Sequence, residues 1–417
     1  MINSKRYFTS SVILLNCIMS GAAFTQTLPP LEICNAYHQI LANTYELKAA
    51  DAEINAKEAD RWQAGAYPNP ALSINLNTIG RDQDGDENEL FVGVTQIVEL
   101  GGKRSARLRV AGTSQCSTQW DLEIAKAELF SKLTHAFIDM AVAQEREALA
   151  KGQQIIAEQT LKAICGKANT GCASGIEEKK AQVAFRSATL LYRKQSSNLQ
   201  KAKKQLISIW DCNPPAFDTV NFPLYQLVCP PPLSTLVEAL KCSPEINKAQ
   251  TESALAGAVV SLEQSKRIPD IALTVGVITQ RFVKEPALCV GFGIPLPLFD
   301  QNEGNISRAS YEQLQAMYDQ LDLENQLRNA LEITYDELTS AYEQATALKE
   351  SILPSADAAF QLAQSGYNEG KFDYLTLLDA RSTLFNMQQE YLDTIEEYHH
   401  KRAEVLKLTA TYPLYEN

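Results

Sequence analysis

Four short stretches of the chain alternate apolar residues with polar or small ones at a period of two. They lie near residues 70–79, 89–97, 270–280 and 287–295. Period two is typical of β-strands that have one apolar face. The positions on that face are Leu72, Ile74, Leu76, Leu90, Val92, Val94, Ile271, Leu273, Val275, Val277, Leu288, Val290, Phe292 and Ile294. The pattern alone fits both a half-buried sheet of a soluble protein and the wall of a membrane barrel.

Long segments outside the strands carry apolar residues at helical spacing. No proline interrupts the chain from Lys103 to Ile164, a span of roughly 90 Å if it is helical throughout. In two later segments, residues that can pack in a helical seam recur every seven positions. They are Leu331, Leu338, Ala345 and Ile352 in one segment, and Leu378, Phe385, Leu392 and His399 in the other. Heptad spacing predicts long helices that pack against one another as in a coiled coil.

The order of predicted elements occurs twice along the chain. "AYPNPALSI", which begins at Ala66, corresponds to "RIPDIALTV", which begins at Arg267. Each half contains a helix, two strands, a very long helix, a turn and another long helix. We therefore predict a first repeat at residues 24–211 with its turn at 165–175, a proline-rich connector at 212–232, a second repeat at 233–412 with its turn at 366–371, and a tail at 413–417.

The N-terminal segment has the order of a secretory signal peptide. Lys5 and Arg6 precede an apolar run and then small residues, which predicts a cleaved leader at residues 1–23. Cys17 ends the apolar run, as the acylated cysteine of a lipoprotein does, but Asn16 stands where lipoproteins carry a small residue. Lipidation of Cys17 is therefore left open.

Charge and cysteine content narrow the function further. A formal net charge of −12 at pH 7 argues against a nucleic-acid-binding protein. Export permits disulfides, and two cysteine pairs are close enough in sequence to close local loops: Cys165 with Cys172, and Cys212 with Cys229. Free thiols fit the same spacing equally well.

Motifs for catalysis or metal binding are not evident. His399, His400 and Glu404 give HHxxxE, which lacks the HExxH spacing that places two imidazoles and a base on one helix face. Because His399 lies on the heptad seam, we interpret it as a packed or tunnel-facing histidine rather than a ligand. The sequence predicts no enzyme, no cofactor, and no catalytic or metal-binding residue.

Three longer motifs lie where predicted strands give way to helices or where helices turn. They are "QIVELGGKRSARLRVA" from Gln96, "IPLPLFDQNEGNISRA" from Ile294 and "GYNEGKFDYLTLLDARSTL" from Gly366. With these motifs, nearly the whole mature chain resembles the TolC-type outer-membrane factors, and within them the CzcC-like branch that serves heavy-metal efflux. The resemblance implies an α+β membrane protein, a homotrimer in which four strands per chain contribute to a 12-stranded outer-membrane β-barrel above a tunnel of long coiled-coil helices.

The same resemblance implies a function and partners. The chain would be the passive export channel of a tripartite efflux pump, for heavy-metal cations, with a periplasmic adaptor, an RND-type inner-membrane pump and outer-membrane lipid as partners. A channel for multidrug efflux or type I protein secretion is the first alternative. A structural periplasmic coiled coil and a secreted helical adhesin or enzyme are more remote, and a coiled coil has no need of paired strands.

A junction between barrel and tunnel is predicted at matching points of the two repeats. Gly101 and Gly102 give the backbone the freedom that a turn from strand to helix requires. Lys103 and Arg104 follow at the helix start, where the helix dipole disfavours cations. We therefore expect them to contact anionic groups at the membrane boundary or carboxylates of a neighbouring chain. In the second repeat the residues that bend the chain are Pro295 and Pro297.

The helical turns are predicted to lie farthest from the barrel and to meet the adaptor. Their glycines are Gly171, Gly366 and Gly370. In the resembled family, carboxylates on the inner helices narrow the tunnel near this end.

Candidate gate residues follow from the family motif. Asp379 matches one gate carboxylate, whereas Thr376 stands where a second aspartate is common. In the first repeat, Glu177 and Lys180 occupy the positions equivalent to Thr376 and Asp379. We take Glu177, Lys180, Asp373 and Asp379 as the candidate gate. The alternative is that Glu177 only favours a helix start and that Asp379 pairs with Lys180 of a neighbouring chain.

The alternation predicts opposite outcomes for two adjacent substitutions. Val275→Arg places a charge on the lipid-facing side, at a cost of about 2–4 kcal/mol near the bilayer midplane, and should abolish membrane assembly. Thr274→Arg, on the lumen side, should be tolerated. Quantifying the assembled protein in outer-membrane extracts checks both, and equal behaviour of the two variants would contradict the strand assignment.

Overall fold

A computed structural model describes residues 29–77, 89–169, 174–211, 214–280 and 285–410. The predicted leader and tail lie outside these residues, as do Cys17, Gly171, Cys172 and Cys212. Both disulfide pairs therefore stay predictions, because one cysteine of each pair is not described.

Helices make up most of the described chain. They are α1 (Ile33–Asn43), α2 (Tyr45–Ala64), α3 (Lys103–Asn169), α4 (Gly175–Ile207), α5 (Leu233–Leu240), α6 (Pro244–Ser265), α7 (Glu303–Ala347), α8 (Leu353–Asn368) and α9 (Tyr374–Leu408). The strands are β1 (Leu31–Glu32), β2 (Ala71–Asn77), β3 (Glu89–Val98), β4 (Val220–Asn221), β5 (Ile271–Gln280) and β6 (Ala287–Gly293). Among the described helices, none has the length and apolar character that a transmembrane crossing needs.

The second helical hairpin contains a break that the heptad pattern does not predict. A π-helical turn at Leu348–Ile352 joins α7 to α8, directly before Pro354 in the first turn of α8. Proline has no backbone N–H to continue the helical bonding, which accounts for the local irregularity. Leu331, Leu338 and Ala345 are buried on the seam. Ile352, which the heptad pattern places there too, is 40% exposed.

Four strands form one antiparallel sheet in the order β2-β3-β5-β6. The central pair joins the two halves of the chain, because β3 pairs with β5 from Glu89–Gln280 to Val98–Ile271. Strands β2 and β6 are the two edges. These positions overlap the four segments of alternating sequence.

One face of this sheet is apolar and exposed. Leu72, Val94, Val275 and Val290 are in register across all four strands, and they are 67%, 45%, 53% and 71% exposed. The next row, Ile74 with Val92, Val277 and Leu288, is exposed as well. Residues that alternate with these rows point to the opposite face. The described part of the chain thus leaves a continuous apolar surface uncovered.

The opposite face is lined by small and polar side chains. Gly93 pairs with Gly276 there, and the Phe91 ring lies over both glycines. A Cβ added to Gly276 would lie 2.6 Å from that ring and 2.7 Å from the Val92 carbonyl oxygen, so the packing requires glycine. Thr95 and Thr274 share a hydrogen bond of 2.9 Å between their hydroxyls.

The main hydrophobic core lies midway along the helices, where the proline-rich connector packs against them. Phe137 and Ile138 of α3 and Ile395 of α9 are fully buried there, with Phe217 and Phe222 of the connector. The connector is also tied to the N-terminal segment by the parallel pair β1 and β4. The connector is thus part of the core and holds the two repeats together.

Candidate functional site

Gly101 and Gly102 form the turn between β3 and α3, both with left-handed backbone conformations of φ 69° and 71°. A Cβ on Gly101 would lie 2.8 Å from the Ile268 Cβ atom and 2.9 Å from the Ser265 carbonyl oxygen. At Gly101 a side chain is therefore excluded both by the backbone conformation and by lack of space. The end of α6 packs directly against this turn, so the two repeats touch here.

An ion pair between the repeats stabilises this junction. Lys103 Nζ lies 2.7 Å from Asp270 Oδ1, and the Leu100 amide donates to the same oxygen at 3.0 Å. Burial raises the pKa of the Asp270 carboxyl, but the hydrogen bonds from Lys103 and Leu100 outweigh burial, and the net pKa is lowered. Asp270 directly precedes β5. The ion pair thus fixes the start of α3 to the start of a central strand.

The other cations of the junction also find partners within the chain. Arg104 Nε donates to the Gly65 carbonyl oxygen at 2.6 Å, and its guanidinium carbon lies 4.4 Å from the centroid of the Tyr67 ring. Arg107 forms an ion pair with Glu99. Lys103 and Arg104 thus have partners within the chain, and contacts with lipid or with a neighbouring chain stay a prediction.

Sequence reasoning missed Asp270, although the internal repeat contains the signal. In the alignment of "YPNPAL" with "IPDIAL", Asn69 occupies the position equivalent to Asp270. Only the second repeat therefore carries a charge at this place, and the charge is the one that Lys103 binds.

The second junction uses different contacts. Pro295 and Pro297 lie in an exposed segment between β6 and α7. Asn302, at φ 62°, precedes α7 and donates from its side-chain amide to the carbonyl and carboxylate oxygens of Glu263 at 2.9 and 2.8 Å. The same segment leaves large apolar side chains in solvent: Leu296, Leu298 and Phe299.

Both helices that leave the tip begin with a side-chain cap at equivalent positions. Ser174 Oγ accepts from the Glu177 amide at 3.3 Å, and Asp373 Oδ1 accepts from the Thr376 amide at 3.0 Å. The hydrogen bonds from Thr376 lower the pKa of the Asp373 carboxyl. The geometry explains Asp373 as a helix N-cap.

Remaining gate candidates are near the tip but do not form a closed cluster within one chain. Glu177 is partly buried, and its charge adds to burial in raising the pKa of Tyr367. Lys180 and Asp379 are exposed. Within the described part of the chain, no ion pair joins Lys180 to Asp379; the field of Lys180 acts on Asp373 instead.

The tip glycines differ in their accessibility. Gly366 is buried under the Phe372 ring, and its carbonyl accepts from the Lys371 and Phe372 amides at 2.7 and 3.2 Å. It closes the turn and offers no surface to an adaptor, contrary to the sequence-based expectation. Gly370 is exposed, with φ 73°. Gly171 lies outside the described residues.

An exposed apolar sheet joined to long helical hairpins is the architecture of outer-membrane channels. Residues 36–210 and 235–411 both match the model of the family described as outer membrane efflux protein. The chain belongs to this family. Members of the family are outer-membrane efflux channels, and the family is one of transport rather than of enzymes.

Individual relatives and a solved structure agree with this membership. The cobalt-zinc-cadmium resistance protein CzcC of Cupriavidus metallidurans is 30% identical over 88% of this chain and 87% of its own length. The nickel and cobalt resistance protein CnrC of the same organism is 27% identical over 76% of this chain and 74% of its own. A crystal structure of CusC superposes with a TM-score of 0.75 at 18% identity, over 94% of this chain and 95% of that one.

Removing the charge of Asp270 should weaken the junction. Asp270→Asn keeps an acceptor for the Leu100 amide but loses the ion pair with Lys103, at an expected cost of about 1–2 kcal/mol. Because the pKa of Asp270 is lowered in the folded state, its contribution is present at neutral pH. It should begin to fall once the pH drops below the ordinary aspartate pKa of about 4, and it should be lost as the pH falls further, through the lowered pKa of the folded state.

Thermal unfolding of the purified protein at pH 7 and at pH 3 measures this effect. Asp60→Asn is the control, since Asp60 is mostly exposed and lies 3.9 Å from Lys57 in an ordinary surface pair. Equal destabilisation by the two substitutions at pH 7 would contradict the assigned role of Asp270.

Proposed function

We propose that the protein is the outer-membrane channel of a tripartite efflux pump for heavy-metal cations, working as a homotrimer with a 12-stranded barrel. The observation that carries the proposal is the exposed apolar face of the sheet, represented by the row Leu72, Val94, Val275 and Val290. A surface of this kind is stable in lipid and a liability in water.

The number of copies follows from strand closure. Among the residues that the structure describes, strands β2 and β6 have no further partner in the sheet, and open sheet edges are not tolerated in the hydrocarbon of a bilayer. Two copies would give eight strands, a barrel whose interior is just wide enough for side chains. Three copies would give twelve strands and room for a conduit between them.

An internal duplication supports the same architecture. The family model matches two separate segments of the chain, each half contributes one antiparallel strand pair, β2 with β3 and β5 with β6, and Ser174 and Asp373 cap corresponding helices. With two similar units per chain, three chains provide six units around an axis. Such pseudo-sixfold order suits a continuous tubular wall.

Heavy-metal cations are the cargo that the relatives favour. CzcC, CnrC and the nickel-cobalt-cadmium resistance protein NccC all carry metal resistance in their names, and the net charge of −12 suits a path for cations. Another relative, at 23% identity, is named a pyoverdine export protein. Export of larger molecules is therefore the second candidate.

The helical tip is the surface that we assign to the periplasmic adaptor, which connects the channel to an RND-type inner-membrane pump. Gly370 is exposed there, whereas Arg104 lies at the opposite end of α3. A photocrosslinker at position 370 should capture the adaptor, and one at position 104 should not. The reverse result would contradict the assignment.

Carboxylates at the tip are proposed to select cations. Three copies of Glu177 around a narrow opening would attract cations, so Glu177→Gln should reduce the cation selectivity of single channels in planar bilayers. Asp379→Asn should raise conductance if it releases a contact with Lys180 of the neighbouring copy.

The neighbouring carboxylate Glu178 supplies a matched control. It lies next to Glu177 on the same helix, so its side chain points about 100° away from that of Glu177, and a hydrogen bond of 2.9 Å from Gln182 holds it along the helix; Glu178→Gln should therefore change selectivity less than Glu177→Gln. If Glu177→Gln and Asp379→Asn both leave selectivity and conductance as in the wild type, the gate assignment is wrong while the channel architecture is unaffected.

A further inference from the structure

Two helices bring four potential metal ligands together midway along the helical domain. His135 and Asp139 are four residues apart on α3, and Glu396 and His400 are four residues apart on α9. Residues at this spacing lie on one face of a helix. The ligand atoms of Asp139, Glu396 and His400 all lie within 4.8 Å of one another.

The imidazole of His400 is at the centre of the group. Its Nε2 lies 3.0 Å from Asp139 Oδ1. Its ring stacks on that of His135, with centroids 4.6 Å apart and planes inclined by 14°, and the two Nδ1 atoms face each other. Nitrogen and carboxylate lone pairs from two different helices therefore converge on one small region.

Surrounding contacts hold these side chains in place. Arg146 donates to Glu396 Oε2 at 2.6 Å and also to Asp393, which orients the Glu396 carboxylate in the way that outer partners orient metal ligands. Beside the group, His399 is buried and its Nε2 bonds to the Leu224 carbonyl oxygen at 2.9 Å. The backbone of α9 is thereby fixed against the connector, so His400 can only face α3.

The accessibility of the side chains suits metal binding. The side chains of His400 and Asp139 are 24% and 46% exposed, so an ion can reach them from solvent.

We propose that His400, Asp139 and Glu396 bind a divalent transition-metal cation of the Zn²⁺ or Co²⁺ class, with His135 beside them. One imidazole and two carboxylates are ligands that these ions accept, with bonds of about 2.0–2.2 Å, and a further position is left for water or for His135. The imidazole ligand disfavours Mg²⁺ and Ca²⁺, and the lack of thiolate or thioether in the group disfavours Cu⁺.

Bound metal would join α3 to α9 next to the main core. It would therefore stabilise the helical domain independently of the ion that is exported and of the gate at the tip. The HHxxxE pattern at residues 399–404 does not predict a metal ligand. The pattern that reveals the site is HxxxD at 135–139 together with ExxxH at 396–400, which only the packing of α3 against α9 unites.

Metal titration of the full chain tests the proposal. The protein, purified in detergent without a histidine tag and stripped with chelator, is titrated with Co²⁺ in visible spectroscopy and with Zn²⁺ in calorimetry. We expect one ion per chain, a Co²⁺ spectrum of low coordination number, and a Zn²⁺-dependent rise in unfolding temperature. His400→Asn should weaken affinity at least tenfold and abolish the thermal shift.

Two controls separate ligation from general effects. His38→Asn removes a histidine of α1, and Asp393→Asn removes a carboxylate that Arg146 binds but that is outside the ligand group; both should keep one ion per chain. If His400→Asn does not fold, the half-exposed Asp139→Asn takes its place. Absence of stoichiometric binding by the wild type, or unchanged affinity in the ligand variant, would overturn the proposal. Neither result would bear on the proposed channel function, which conductance measurements test separately.

Discussion

The rest of the structure depends on one constraint: the four-stranded sheet has an exposed apolar face that must be covered and two open edges that must be paired. Fourteen large apolar side chains on β2, β3, β5 and β6 are exposed in the single chain. In water this surface would favour aggregation, and in lipid the unpaired backbone groups at the edges would each cost several kcal/mol. In the proposed assembly, lipid around the face and pairing of edges between copies would satisfy both demands together.

This requirement explains why the junctions are so tightly built. A sheet in the membrane and helices in water must keep a fixed relation, and the chain changes direction between them within a few residues. Gly101 and Gly102 permit the turn, and the Lys103–Asp270 pair locks the first repeat to the second. The connector does the same midway along the helices, where Tyr398 donates to the Val228 carbonyl oxygen at 2.7 Å.

Much of this arrangement is accessible from sequence, because it rests on local periodicity. Period two marks the strands and period seven marks the helices, and the family motifs then imply the assembly. What escapes prediction depends either on local backbone geometry that periodicity does not register or on contacts between distant residues. Ile352 leaves the heptad seam because Pro354 imposes a π-helical turn, and Asp373 caps a helix. The partner of Lys103 is Asp270, 167 residues away along the chain. The partner of His400 is Asp139, 261 residues away.

The central claim is that three copies of this sheet close into one membrane-embedded wall. Its most direct test is the protein mass of the detergent-solubilised particle, measured by light scattering with the detergent contribution subtracted. The account predicts three chains per particle, and no stable particle once detergent is removed without added lipid. A single chain per particle that stays monodisperse in detergent-free buffer would contradict it.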